Sequence, residues 1–523
     1  MRLPDKYVEK MKRILGDEYP LYEASLEEPL NHCLRINTLK ISVEEFLQIS
    51  PFELTPVPWT ENAFYYDASI DSPSKHPFYF AGLYYLQEAS ATLPAAVIPI
   101  EDGDRVLDIC AAPGGKTTEL AARLKGSGIL VSNDISASRL KALQKNVEAF
   151  GASNVVITCE TPDKLADHFG EYFDKILIDA PCSGEGMFRK SNSMISAWEL
   201  NGNEKFEVIQ QSILDQVVKM LKPGGMILYS TCTFDPGEDE EQILYLLSLD
   251  NSLELVPIKM YDGFEPGHAE WVSDGINDII ASSGGKLEKT FSEYNLEYTA
   301  HLFPHRVNGE GHYVSLVKKN SGVAGSADND DCVDNNSVKN VISKNRGGYA
   351  STYKIKKSKL PEEVTEFFSH ISAGCETFDK DRIEISSDKV FLIPKDAPDT
   401  KGLRTMRNGV YLGEIKKKRF EPSQSLPMLL KASDFDNVLR LKPDSIAVYK
   451  YLRGETLELE DVRDDIYFDD ISMADKSIDL FISELIGKPG WIMICVMDYP
   501  LGFAKNIRGT LKNKYLPGWR MTS

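Results

Sequence analysis

Two cysteines in this 523-residue sequence stand where they could do chemistry. The stretch DAPCSGEG, residues 179–186, sets Asp179 three positions ahead of Cys182, with a proline between them and glycines behind. The stretch YSTCTFDPGEDEEQI, residues 229–243, places Cys232 directly after an apolar run and ahead of a string of carboxylates. A single cysteine in such a place is usually a small buried hydrophobe. Two of them, each following a buried strand-like run, share the edge at which an open α/β sheet presents its ligands.

A third stretch belongs to the same edge. LDICAAPGGKTTEL, residues 107–120, runs from a strand through a turn of small residues into a helix. Small residues let a ligand approach the backbone, and the helix N-terminus offers free N–H donors. A nucleoside triphosphate or a nucleoside cofactor such as S-adenosylmethionine would suit this loop. GGKTT has the look of a P-loop ending, but that motif needs a glycine five positions before Gly115, where Cys110 stands. Asp134, at the end of the next strand, suits a ribose hydroxyl pair, although an acidic residue there also serves as a helix cap.

A thiol, a carboxylate and a methyl donor are used together in methylation of a pyrimidine at carbon 5. That carbon is a poor nucleophile until a thiolate adds to carbon 6. A carboxyl group at the N3 and amino edge would stabilise the charge that develops, and Asp179 is placed for it. A second thiol could assist release of the product.

The elements that must position these residues follow from the hydrophobic pattern. RVLDIC (105–110), GILVSND (128–134), NVVIT (154–158), FDKILIDA (173–180) and GGMILYSTC (224–232) read as buried strands. Between the second and third, Leu140, Leu143, Val147 and Phe150 recur at helical spacing. The alternation predicts an α/β, doubly wound, Rossmann-like domain over 93–319. Before it lies an N-terminal extension, 1–92. After it, a stretch rich in Asn, Ser, Gly and Asp (320–351) reads as a linker or mobile loop. Two mixed α/β regions, 352–433 and 434–523, complete the chain.

Eight cysteines are scattered without a CxxC pair, so neither a disulfide framework nor a thiolate zinc site is expected, and no metal is assigned. No run of eighteen apolar residues occurs, and the first twenty residues hold no uninterrupted apolar core, which predicts a cytoplasmic protein without a membrane segment. The formal charge of −20 argues against indiscriminate attraction to nucleic acid, while leaving room for local basic patches.

LDICAAPGGKT, NDIS, DAPCSGEGMFRK and YSTCTFDPGEDEEQI resemble, in order and spacing, the motifs of the Sun-type RNA cytosine carbon-5 methyltransferases. The likeness extends to LRINTLK (34–40), YYLQEAS (84–90) and LFPHRVNGEGH (302–312). RTMRNGVYLGEIKKKRFEPS and the C-terminal tail resemble the bacterial RsmF-type branch, which methylates small-subunit ribosomal RNA and ends in a PUA-like RNA-binding domain. The resemblance implies that Cys110, Ala111, Ala112, Pro113, Gly114, Gly115, Lys116 and Asp134 hold S-adenosyl-L-methionine, with Asp179 close to both methyl donor and target base. It makes Cys232 the attacking thiol and Cys182 the one that helps expel product. Spacing alone would have favoured Cys182, since DNA cytosine methyltransferases attack with their Pro-Cys thiol. One position departs from the pattern: Thr161 stands eighteen residues before Asp179, where relatives often carry an adenine-facing Asp, and Glu160 is the candidate substitute.

A target base must leave its stack to reach such a pocket. Arg35, Asn37, Arg189 and Lys190 are candidate RNA contacts, each equally readable as surface charge or a local cap; His305, beside Pro304, is equally a packing residue. The segment 504–523 carries Lys505, Arg508, Lys512, Lys514 and Arg520 with no acidic residue, and Tyr515 and Trp519 are interleaved, a composition suited to phosphates and stacked bases. KKKRF (416–420) is a second basic cluster. The expectation is a monomeric RNA methyltransferase whose partner is 16S rRNA or the small ribosomal subunit. Transfer RNA as substrate, or a non-catalytic ribosome-assembly factor, are the alternatives.

Overall fold

The computed structural model describes residues 2–321, 350–357, 359–468 and 475–522; most of the expected linker, 322–349, lies outside the described residues. The chain opens with helix α1 (Asp5–Leu15), which buries Tyr7, Met11 and Ile14 on one face. A four-stranded antiparallel sheet follows, in the order Thr55–Pro56, Ala63–Tyr66, His32–Ile36, Tyr84–Leu86.

Among the described residues the central sheet has ten strands. Its parallel heart is β1 (Arg105–Asp108), β2 (Ile129–Asn133), β3 (Val155–Thr158), β4 (Phe173–Asp179) and β5 (Leu221–Thr231), side by side in the order β5-β4-β1-β2-β3. The order reverses beside β1, so the C-terminal ends of β1, β4 and β5 open onto one crevice. Helix α2 (Gly115–Arg123) leaves β1, and α3 (Leu140–Phe150) connects β2 to β3. The four apolar residues of α3 expected to face the sheet, Leu140, Leu143, Val147 and Phe150, are its buried residues. Near-continuous apolar runs such as Ile176–Ile178 are fully buried because helices cover both faces.

β6 (His312–Lys319) adds antiparallel to β5, with Tyr313 opposite Thr231. The remaining edge is closed from the far end of the sequence. After β7 (Ile383–Ser386) and β8 (Lys389–Leu392) comes β9 (Thr405–Asn408), which pairs antiparallel with β3. β10 (Val410–Ile415) and β11 (Phe420–Pro422) then return to a small sheet ordered β7-β8-β10-β11. The last region is a five-stranded sheet from Val438 to Asn513.

The regions that meet at the expected divisions, 92 and 433, are packed against each other through apolar clusters. Leu34, Phe46 and Tyr84 of the N-terminal extension pack in one cluster with Leu439, Tyr451 and Trp519. Val364 and Phe367 share another with Met493 and Phe503. The region 352–433 is likewise not self-contained, since β9 belongs to the central sheet. Sequence periodicity reports which face of an element is apolar, not which distant element covers it.

Candidate active site

Three successive strand ends each present a carboxylate: Asp108 as the last residue of β1, Asp134 after β2 and Glu160 after β3. Asn133 aligns them. Its side-chain amide donates to Ile109 O (3.2 Å) and Glu160 O (3.0 Å), and its oxygen accepts from Glu160 N (2.9 Å). Each carboxylate keeps an oxygen with no hydrogen-bond partner: Asp108 Oδ1, Asp134 Oδ2 and Glu160 Oε2. Asp134 Oδ2 faces Arg139 at 3.1 Å, and Glu160 Oε2 faces Lys164 at 3.5 Å. Burial pushes the Asp108 carboxyl up to about 7, although Thr117 donates to its other oxygen.

The loop between β1 and α2 lies alongside. Gly114 holds φ 110°, a left-handed conformation, and a Cβ there would lie 2.9 Å from Leu143 Cδ1, so glycine is required for the turn to sit against α3. Lys116, on the first turn of α2, reaches across to Asp179, with Nζ 2.7 Å from Oδ2. Ser230 donates to Asp179 Oδ1 (3.2 Å), and His312 Nε2 is 3.7 Å from the same oxygen. Burial opposes ionisation of Asp179, but Lys116 and His312 outweigh it and hold the carboxyl well below the usual carboxylate range.

The two thiols meet. Cys182 Sγ and Cys232 Sγ are 3.1 Å apart, a hydrogen-bond contact between free cysteines, and Cys232 N donates to Cys182 Sγ (3.3 Å). The hydrogen bond to Cys232 is the main cause that holds the Cys182 thiol protonated, its pKa well above the ordinary value; burial adds to it. The loops after β4 and β5 are laced together. Gly186 N donates to Cys232 O (2.9 Å), Ser183 N donates to Glu238 (2.9 Å), and the Ser183 and Thr233 hydroxyls are bonded (2.8 Å). A Cβ on Gly186 would crowd the Gly311, Cys232 and Glu310 carbonyls at 3.0–3.2 Å.

Behind Cys232 lies a cluster that sequence reasoning did not single out. Thr231 donates to Asp239 (2.5 Å), and Glu240 is hydrogen-bonded to His301 Nε2 (2.8 Å), all of them buried. Its acidic members stood in the DPGEDEEQI run, but the run alone does not say which carboxylates turn inward. From the other side, Lys10 of α1 pairs with Glu185 and Asp235 (2.6 Å to the latter). Glu185 also accepts from Trp198 Nε1 (2.9 Å) and Phe234 N (3.2 Å), so the N-terminal helix braces the thiol loops.

Several expected RNA contacts have other work. Arg35 is 1% exposed and braces α2, donating to Gly115 O and Thr118 Oγ1 (2.7 Å each) and pairing with Glu119 (2.9 Å). Asn37 is fully buried and donates to Gly82 O and Phe150 O. Both side chains are turned inward: Arg35 lies on an inner strand, His32–Ile36, and Asn37 directly follows it. Arg189 donates to Glu28 O and Pro29 O (3.0 Å each), and the exposed Lys190 pairs with the buried Glu310 (2.8 Å). His305 packs against Glu18 (3.0 Å). In the C-terminal segment Arg508, Lys512 and Lys514 are exposed and Lys505 is half-buried, but the Tyr515 and Trp519 rings lie in the core and offer no stacking face. Thr161 is exposed and precedes a helix at Pro162, while Glu160 Oε1 accepts from Arg404 N (2.6 Å).

Three strand-end carboxylate oxygens without hydrogen-bond partners fit a ligand rich in donors: an ammonium group, a ribose diol and an amino-purine. S-adenosyl-L-methionine is such a ligand, and fold and site together define the class as a Rossmann-like, S-adenosyl-L-methionine-dependent methyltransferase. Four family models match along the chain: 16S rRNA methyltransferase RsmB/F over 95–318, the N-terminal domain of 16S rRNA methyltransferase RsmF over 3–89, the RsmF first C-terminal domain over 366–430, and the methyltransferase RsmF PUA domain over 438–521. The chain belongs to this RsmB/F methyltransferase family, with the domain set of its RsmF members. It is 29% identical to the ribosomal RNA small subunit methyltransferase F of Photobacterium profundum, over 98% of this chain and 96% of that one. It is 34% identical to the protein of that name from Enterobacter sp. (strain 638), over 60% of this chain and 63% of that one, which is under two thirds of that relative's length. The crystal structure of NSun6 from Pyrococcus horikoshii with SFG shares the fold, with TM-score 0.50 and 21% identity over 60% of this chain and 98% of that one. Among the described residues no helix is long and apolar enough to cross a membrane.

Proposed function

We propose that this chain methylates carbon 5 of a cytosine in small-subunit (16S) ribosomal RNA, as a cytoplasmic monomer, through a covalent bond between Cys232 Sγ and carbon 6 of the base. The observation that carries this reading is the pair of thiols 3.1 Å apart on the same crevice as Asp179. Residues Cys110–Lys116, Asp134 and Glu160 would hold S-adenosyl-L-methionine, which supplies the electrophilic methyl group.

The chain's own groups account for the remaining steps. Cys232 Sγ, as a thiolate, adds to carbon 6 and makes carbon 5 nucleophilic. Asp179, kept ionised by Lys116 and His312, accepts a hydrogen bond from the exocyclic amino group, where positive charge develops. While Cys232 is bonded to the ring, the hydrogen bond that kept Cys182 protonated is lost. Cys182 can then pass its proton to solvent and, as a thiolate, take the proton on carbon 5; the carbon 5–carbon 6 double bond re-forms and Cys232 leaves as a thiolate. The flanking regions 1–92, 352–433 and 434–523 position the RNA around the methyltransferase region 93–319.

Bisulfite sequencing of ribosomal RNA from cells with and without the gene tests this reading. One or more small-subunit cytosines should lose protection without it. Protection lost only in transfer RNA would overturn the ribosomal substrate, and unchanged protection everywhere would overturn the carbon-5 chemistry.

A further inference from the structure

The small sheet β7-β8-β10-β11 has two unlike faces. Ile383, Val390, Leu392, Val410 and Leu412 point into a core. The alternate residues Glu384, Lys389, Phe391 and Tyr411 instead line a cleft of about 660 Å³, closed on its other side by β9 and Tyr353. A sheet that turns aromatic rings away from its own core has them available for something else.

The chemistry of the cleft narrows what that is. Phe391 and Tyr411 stand with ring centroids 5.5 Å apart, tilted by 47°, and the Arg407 guanidinium lies 5.5 Å from the Tyr411 ring. Along β9, Thr405 Oγ1, Arg407 Nε and Asn408 Oδ1 are buried atoms with no hydrogen-bond partner, while Arg407 Nη2 is held by Glu148 (2.9 Å). Such atoms cost free energy unless something bonds to them. A planar ligand with donors and acceptors on its edge answers both features. At one end of the cleft, Glu414 leads from β10 into the turn Lys416–Arg419, which carries four exposed cations, of which Lys416 is paired with Glu414. The expected basic cluster KKKRF thus lies at the mouth of an aromatic cleft.

We propose that this face binds single-stranded RNA, one unpaired base stacking against Phe391 and Tyr411 with its edge toward Thr405, Arg407 and Asn408, and the adjoining phosphates meeting Lys417, Lys418 and Arg419. Stacking on an aromatic sheet face beside cations is a general solution for unpaired nucleotides. The proposal rests on the RNA-methyltransferase reading and adds where substrate is gripped outside the crevice. β9 also pairs with β3, whose end carries Glu160, so the RNA-holding face and the cofactor edge share one strand pair.

The test uses the full chain and full-length small-subunit rRNA transcribed in vitro. Two variants are compared with the parent: Phe391→Ala/Tyr411→Ala, and Lys417→Glu/Lys418→Glu. Neither pair touches the crevice, so binding of S-adenosyl-L-methionine should be unchanged and serves as the folding control. The aromatic variant should raise the Kd for the transcript by about tenfold or more, the effect of losing one stacked base, with its salt dependence unaltered. The charge variant should weaken binding and lower the salt slope by about 1 to 2. Both should raise KM for RNA and leave kcat within about twofold. Parent-like Kd and salt slope in both variants overturn the surface while leaving the methyltransferase reading standing. A defect seen with assembled subunits but absent with the transcript overturns RNA as the occupant in favour of a ribosomal protein. A parent that neither binds nor methylates RNA, as the transcript or in the assembled small subunit, overturns the reading beneath it.

Discussion

Replacing Asp179 by asparagine keeps the shape of the side chain and removes its charge. In the structure that charge has three neighbours: Lys116 at 2.7 Å, the Ser230 hydroxyl at 3.2 Å and His312 at 3.7 Å. At an effective dielectric constant of 20 the Lys116 contact alone corresponds to an attraction of about 6 kcal/mol. Asp179 is 35% exposed, so solvent screens most of it, and the fold should lose only about 1 kcal/mol. Catalysis should suffer more. An amide carries no net charge to place against the amino group of the activated ring, and losing one pre-placed electrostatic partner costs about 2.7–4 kcal/mol, or about 10²–10³ in kcat. The assay is single-turnover transfer of labelled methyl groups to in-vitro-transcribed rRNA, with binding of S-adenosyl-L-methionine measured separately by calorimetry. Cofactor affinity within about threefold of the parent, together with the kcat loss, is the expected outcome. An Asn variant with parent-like kcat, or one whose loss is fully explained by weakened cofactor binding, would refute a role at the base. Because the folded carboxyl is depressed, its contribution to stability is present above its unfolded value and disappears only in strong acid.

Two further predictions concern the thiols and the carboxylates behind them. Cys182→Ala should permit methyl transfer but trap a covalent protein–RNA adduct visible on a denaturing gel, whereas Cys232→Ala should abolish both; an adduct from Cys232→Ala alone would reverse the two roles. Glu238 is buried and its carboxyl is raised to about 7, mainly by that burial, as is that of Glu207. A raised folded value means stability that is complete below the unfolded carboxylate range, near pH 4, and lost as pH climbs through about 7. Glu238→Gln should therefore flatten the fall in Tm between pH 4 and 7, and an unchanged Tm–pH curve would count against burial as the cause.

How much of this could be read beforehand differs from element to element. The parallel strands and the buried face of α3 were legible because apolar runs and a 3.6-residue period are local properties. The strap of β9 on β3 was not, since it joins residues 405–408 to 156–158, and an edge strand's partner leaves no mark on either segment. Arg35 and Asn37 show the same limit from the side-chain direction. Charge and hydrogen-bonding capacity are visible in the sequence, but whether they face RNA or brace a neighbouring helix depends on which strand lies inside the sheet.

The sequence by itself determined the class of chemistry: two thiols, a carboxylate and a small-residue cofactor loop, each placed after a buried strand. Tertiary structure alone decided that the thiols touch, because 50 residues separate Cys182 from Cys232 and only the parallel pairing of β4 with β5 brings their strand ends together. It alone decided the ionisation of Asp179, through Lys116 from a different strand–helix turn. Contact and local dielectric are three-dimensional quantities, and they set what otherwise identical residues can do.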